Sequence, residues 1–489
     1  MLTVIARPFG CSLLAAGTLF LMSCAAPPST SADAALARAA QAMGSDRVTT
    51  LRYSAEGTGH TFGQAYKAGG PWPRITLHSV TRSIDYPTGS MREEVVLSRA
   101  EPLGGGGYPL AGQQRNDQYL SGELAWNQAG TTATPGPRFV AERTHQLWIT
   151  PHGVLKAAQR QGARAQPGAA GASTIAFAEP GRYSATATIG ADGLVSRVES
   201  TYPDPVMGDT AAVTTYDDYR EIGGIRFPMR VRQTLGGYPV LDLVVKDVQV
   251  NPALQLSVPD AARNAAERVT SEKVADGVWF VAGGSHNSVA IEMQDHLMLV
   301  ETPLNDARTL AVIEHVRQLA PNKPLRTAVN SHQHFDHAGG VRAAVAEGMT
   351  VVAHADNIAY FERVFAQANR IRPDRMAGAG RTASFRPVGD KLEIGDASRP
   401  VEVHRIVGGP HSDSLLMVYL PKEKLLIEAD AYTPGAPNTP PPATPNANNV
   451  NLIDNIERLK LGVDRILPLH GRVVPVGELY AAAQRTPPR

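Results

Sequence analysis

From about Val48 to Val250, apolar and polar positions alternate in short runs bounded by turn residues, the period-two pattern of half-buried strands. The segments "RITLHSVTRSIDY", "REEVVLSRA", "RYSATATI", "LVSRVESTY", "AVTTYDDY", "IRFPMRVRQTL" and "VLDLVVKDVQV" are rich in β-branched and aromatic residues, and turns such as "GADG" and "EIGG" separate them. Long strands joined by short turns predict an antiparallel, curved, β-rich sheet with few helices. Two stretches interrupt the alternation with helical spacing: "DAALARAAQAMG", ended by Gly44, and "TPHGVLKAAQRQ" around 151–160. The runs "GGGG" at 104–107 and "GARAQPGAAGAS" at 162–173 read as flexible loops.

Beyond a linker placed at 253–266 the rhythm changes. "GVWFVAG", "SVAIEM" and "HLMLVET" predict three short strands; "DARTLAVIEHVRQL" predicts an amphipathic helix, "LRTAVN" an apolar strand, and "AGGVRAAVAEG" a further helix starting near Ala338. Strand–helix alternation to the end of the chain argues for a layered α/β unit. The expected organisation is α+β with two domains: a β-rich domain at 34–252, a second domain at 267–482 and a tail at 483–489.

The 489 residues suffice for two or three domains, and 43% hydrophobic with 19% charged residues is ordinary for a globular chain. A net charge of +1 gives no electrostatic reason to expect a nucleic-acid partner. Residues 1–24 differ in kind: Arg7 is followed by a short apolar run ending in "LMSC" at Cys24, too short to span a bilayer and patterned as an export signal. A small residue followed by cysteine resembles the bacterial lipoprotein signal, which implies lipidation of Cys24 and a mature chain anchored to the envelope membrane, facing the periplasm. Met22 is unusual in that pattern, so plain cleavage nearby stays as the alternative. "AAPPSTSAD" at 25–33 then serves as a tether. Both cysteines, Cys11 and Cys24, belong to this segment, leaving the mature chain without an internal disulfide or a nucleophilic thiol. The stretch from Tyr216 to Pro252 resembles the envelope lipoprotein-carrier and sorting proteins, in which a curved sheet wraps a helix. That implies either a groove for acyl chains or a rigid scaffold for the second domain.

Ten of the 14 histidines follow residue 280, and "NSHQHFDHAGG" packs three of them beside an aspartate. In extended backbone, residues two apart point the same way, so His332 and His334 can converge on one point. Asp336 and His337, where the chain turns into a helix, can face a second point nearby. Two such half-shells suit two metal ions ~3.5–4 Å apart, provided other strand ends supply the remaining donors. His411 in "VGGPHSDS", Asp430 ending "KLLIEAD" and His470 in "RILPLHGR" are placed to do so.

That order of residues resembles the metallo-β-lactamase fold superfamily over roughly 267–482. The resemblance implies an αββα sandwich and two divalent metal ions, zinc expected and iron or manganese as alternatives. His332, His334 and His411 would hold one ion; Asp336, His337 and His470 the other, with Asp430 bridging. It also implies hydrolysis of an ester, thioester, lactone or related bond in a small-molecule substrate by metal-activated hydroxide, with Asp336 as a catalytic residue. Other readings within reach are a β-lactamase, a mononuclear-iron oxidoreductase of the persulfide dioxygenase kind, and a lipid- or lipoprotein-binding envelope protein. Glu301 stands where many members carry aspartate, at a position that orients ligands. His286, with Asn287 beside it, and Tyr432 are further candidates near the site, for local hydrogen bonding or substrate contact. His354 and His404 read as core histidines. The proline-rich run 434–449 is expected to form a rim or a linker, and the oligomeric state is not readable.

Overall fold

The computed structural model describes residues 31–100 and 112–487. The export signal, Cys24, most of the tether and the glycine run at 104–107 lie outside the described residues. Among the described residues no helix is long and apolar enough to cross a membrane.

Residues 50–250 form one 13-stranded antiparallel sheet. Two meanders run outward from a central pair, Thr50–His60 against Tyr238–Val250. Alternation sets which face is buried: Tyr183–Ile189, "YSATATI", buries every second residue. The sheet's buried face packs on three helices, Ser31–Met43, Val140–Trp148 and Pro151–Arg160, in a single core that includes Met43, Leu147, Trp148, Val154 and Leu155. The loop expected at 162–173 contains a short edge strand, Ala165–Pro167, and the linker contains one helical turn, Asp260–Arg263. Both are local structures too short to leave a periodic signal.

The C-terminal region is built from a seven-stranded and a six-stranded sheet. In the first, Thr270–Ala275 to Leu297–Val300 pair antiparallel, and Leu297–Val300 to Phe385–Val388 pair parallel through helical crossovers. The sheets face each other across a core containing Val289, Val300, Val329, Val352, Val403, Val418, Ile427 and Leu467. Helix Asp306–Leu319 covers the outer face of one sheet, and Ala447–Arg458 with Val476–Ala482 covers the other. Strands caught between such layers are apolar on both faces, as in Leu416–Leu420, "LMVYL", buried at every position. The result is the αββα layering expected for 267–482. A strand not expected, Thr270–Ala275, extends the first sheet. The helical turn expected near Ala338 begins earlier, at Phe335–Ala338, and so carries both Asp336 and His337; a second helix, Val341–Ala346, follows.

Candidate metal centre

The ligand candidates come from strand exits at one end of the paired sheets. Val329 ends the strand Leu325–Val329, and the chain then delivers His332 and His334 in extended backbone before the turn with Asp336 and His337. His411 lies in the loop before Leu416–Leu420, Asp430 two residues past Leu425–Glu428, and His470 two past Arg465–Pro468. The structure brings all seven together as three overlapping groups of donors. His332, His334 and His411 form one. Asp336, His337, His470 and also His286 form another. His332, His337 and Asp430 join the two.

Asp430 occupies the centre. Its Oδ2 is 2.7 Å from His337 Nε2 and 3.4 Å from both His332 Nε2 and His411 Nε2, while Oδ1 is 3.3 Å from His470 Nε2. Its backbone is left-handed, with φ 57°, an unfavourable state for a residue with a Cβ. The turn is held by buried Glu428, whose Oε2 accepts hydrogen bonds from the backbone N–H of Ala431 (3.1 Å) and Tyr432 (3.0 Å).

Hydrogen bonds outside the cluster fix which ring nitrogens face inward. Buried Glu301 accepts from Ser331 Oγ and lies 3.1 Å from His337 Nδ1, so that nitrogen carries a proton and Nε2 is the one that faces Asp430. Having donated to Glu301, Ser331 Oγ accepts from His332 Nδ1 at 3.0 Å, which directs the His332 Nε2 lone pair inward. His470 Nδ1 faces the Ser285 carbonyl at 3.3 Å. His334 Nε2 donates to the Ala65 carbonyl at 3.0 Å, leaving its buried Nδ1 with no hydrogen-bond partner. Ring nitrogens are thus brought together: His332 Nε2 and His411 Nε2 are 3.1 Å apart, and His337 Nε2 and His470 Nε2 are 3.1 Å apart, beside two carboxylates. Converging imidazoles and carboxylates, several of them oriented by outer partners, fit divalent cations.

The electrostatics agree. Burial holds His332 well below the usual histidine range and pushes His334 down to about 3 and His286 to about 4. Burial alone would raise Asp336 and Asp430, but His337 together with His286 at Asp336 and His411 at Asp430 outweighs it, and both sit well below the usual carboxylate range. Burial would likewise depress His337; Asp430 and Asp336 overcome it and hold the ring well above its ordinary value. The site thus keeps its carboxylates ionised and His332 and His334 neutral, the forms that ligate a cation, while the two aspartates draw a proton onto His337.

His286 makes local hydrogen-bonding contacts and also falls inside the second donor group: its Nε2 lies 3.1 Å from Asp336 Oδ2. Asn287 clamps the His470 loop, donating from Nδ2 to the carbonyls of Pro468 (3.2 Å) and Gly471 (2.9 Å). Tyr432 is buried in the apolar core beneath helix Ala447–Arg458. His354 caps the helix Ala355–Phe365 and His404 pairs with Glu402 at 2.8 Å, both buried on strands as expected of core histidines. Most of the run 434–449 has no regular structure, although the helix Ala447–Arg458 begins inside it.

Sequence reasoning missed the contribution of the N-terminal sheet. The loop 61–73 between strands Thr50–His60 and Arg74–Asp85 reaches the site, where Gln64 Nε2 donates to Asp336 Oδ1 at 2.8 Å. Nothing in "TFGQAYKAGGPWP" marks it, since an amide and a main-chain carbonyl carry no spacing rule.

A family profile for the metallo-beta-lactamase superfamily matches residues 281–470. Among curated proteins, the chain is 27% identical over 168 residues to the alpha subunit of a 2,4-dinitroanisole O-demethylase from Nocardioides sp. (strain JS1661); the match covers 34% of this chain and 47% of that protein. The chain therefore spans about half the length of that relative. Among solved structures, a metallo-beta-lactamase from Pontibacter korlensis aligns at 16% identity and TM-score 0.34, covering 45% of this chain and 100% of that one. The mono-zinc FIM-1 metallo-beta-lactamase from Pseudomonas aeruginosa aligns at 21% identity and TM-score 0.32, covering 44% and 93%. The fold of that family typically binds divalent metal, usually zinc, and its members are generally hydrolases. The C-terminal region of this chain is a metallo-beta-lactamase superfamily domain.

Proposed function

We propose that the chain is an exported, binuclear metal-dependent hydrolase acting on an ester, thioester, lactone or related bond of a small molecule. The observation that carries this reading is the convergence of five imidazoles and two carboxylates around Asp430, with His332, His334 and His337 oriented by outer hydrogen bonds. His332, His334 and His411 would hold one zinc ion, and Asp336, His337 and His470 the other, with Asp430 between them and His286 at the edge of the second group. Two such cations supply hydroxide at neutral pH and a Lewis acid for the oxygen of the scissile group.

The protein's own part is positioning. Glu301 and Ser331 keep His337 and His332 in the tautomers that can ligate. Asp336, with 29% of its side chain exposed against 12% for Asp430, would accept a hydrogen bond from water held at the site. The buried histidines exclude competing protons, because burial keeps His332 and His334 neutral at any physiological pH. No serine or cysteine nucleophile is needed, consistent with cysteines confined to the first 24 residues.

The test is a panel of lactone, thioester, aryl ester and β-lactam substrates, assayed with the chelated and the zinc-reloaded chain. Hydrolysis of one carbonyl class, lost on chelation and in His334→Ala and Asp430→Ala, is expected. A zinc-loaded chain inert to all of them would contradict the reading. The membrane partner is proposed on the Cys24 signal: labelled fatty acid should enter the wild-type chain in a bacterial host and be absent from Cys24→Ser.

A further inference from the structure

We propose that the loop 61–73 of the N-terminal sheet is a working part of the metal site, with Gln64 a positioning residue for Asp336 and the Ala65 carbonyl fixing His334. This rests on the metal-binding reading above. Asp336 has two oxygens with different surroundings: Oδ2 points to His286 (3.1 Å) and His337 Nε2 (3.6 Å), inside the donor group, whereas Oδ1 points out and is held by Gln64 Nε2 at 2.8 Å. His334 is divided the same way, its Nε2 on Ala65 and its Nδ1 inward. Metal ligands keep their geometry through such outer partners, and losing one typically costs 10–100-fold in affinity. Here both partners come from some 270 residues earlier in the chain.

The loop is built to grip. The Gly63 carbonyl accepts from Phe335 N at 3.2 Å, and the Ala65 carbonyl also accepts from Gln333 Nε2 at 2.6 Å. On the other ligand loop, Tyr66 Oη donates to the Gly409 carbonyl (3.1 Å) and the Tyr66 carbonyl accepts from Asp413 N (3.0 Å). One loop therefore ties the segment bearing His334 and Asp336 to the segment bearing His411. Gly63 has φ 73°, and a Cβ there would come within 2.4 Å of Phe335 Cγ, so only glycine allows this approach. The loop's other face borders a cavity of about 260 Å³ walled by Trp72, Tyr238, Phe335 and Tyr360, with no ligand candidate on its lining. Polar contacts to the ligand segments, together with the packing of Phe62 on Phe335 and of Trp72 on Tyr238, seat the loop.

The experiment titrates zinc against a chromophoric chelator on the full chain, for wild type, Gln64→Met, Gln64→Ser and, as a distant control, Lys246→Ala. Cobalt substitution reports the ligand field of each site. Gln64→Met keeps the volume and removes the donor. The expected result is two zinc ions in wild type and control, with the more weakly held one released at least tenfold more readily in both Gln64 variants. A change in the cobalt spectrum, with unfolding of the metal-free chain unaltered, should accompany it. Wild-type affinity and spectrum in both variants would overturn the inference and leave the metal reading standing. A wild-type chain that binds no zinc would overturn both.

Discussion

Glu301 is fully buried, adopts a left-handed backbone with φ 73°, and serves two ligands at once: His337 directly and His332 through Ser331. Strained and buried, such a residue persists where the surroundings over-determine it. The additional methylene relative to aspartate is used here to span Ser331, Asn330 and His337 from one position. Glu301→Gln keeps the shape but replaces an acceptor oxygen with a donor, so one imidazole must turn or change tautomer. Zinc affinity should fall by about 10–100-fold, measured by chelator competition. Unchanged affinity would mean that His337 is oriented by Asp430 alone. Asn287 allows a similar test on stability. Asn287→Ala leaves the buried carbonyl of Pro468, and the carbonyl of Gly471, without this donor, at a cost of roughly 1–3 kcal/mol, and the loss should appear in denaturant unfolding even of the metal-free chain.

At the scale of elements, the helix Val140–Trp148 shows why part of the fold was not legible. Its sequence, "VAERTHQLW", buries Arg143 and His145 as well as Leu147 and Trp148, and nine residues give its apolar stripe too few repeats to mark a core-facing helix. Tertiary contacts make this feasible: Arg143 donates to the carbonyls of Tyr119 and Trp126 and to Asn127, and His145 Nε2 lies 2.7 Å from Ser200 Oγ. The strand Gln114–Ser121, "QRNDQYLS", likewise has little alternation, because only Leu120 is buried and backbone pairing carries it. The apolar strands of the C-terminal region and the strongly alternating ones before it were legible, since burial there selects side chains directly. The metal donors were legible because only a few residue types can ligate. Gln64 and Ala65 were not, because their roles depend on an approach that only the folded chain creates.

His145 also gives a pH test. Burial lowers it to about 3 from the ordinary 6.5, so the unfolded chain takes up a proton below pH 6.5 that the native chain refuses until about pH 3. Its contribution to stability is fully present above pH 6.5 and is lost as pH falls towards 3, by about 1.4 kcal/mol per unit. His145→Gln should be less stable than wild type at pH 7, and the gap should narrow by about that slope between pH 6 and 4. A gap constant with pH would show that His145 is protonated in the native chain.

For the whole molecule, the contacts of loop 61–73 make the 13-stranded sheet and the metallo-beta-lactamase superfamily domain depend on each other. On the inference proposed above, the N-terminal sheet is a scaffold rather than an acyl groove, with the task of seating Asp336 and His334. The central claim, that five histidines and two aspartates form a binuclear metal centre, is tested most directly by metal content. The chain is purified without added metal or chelator, and zinc, iron and manganese are counted per chain in wild type, His334→Ala and Asp430→Ala. About two zinc ions per wild-type chain, with loss in both variants, is the expected result. A folded wild-type chain carrying no metal, or a single iron, would contradict it.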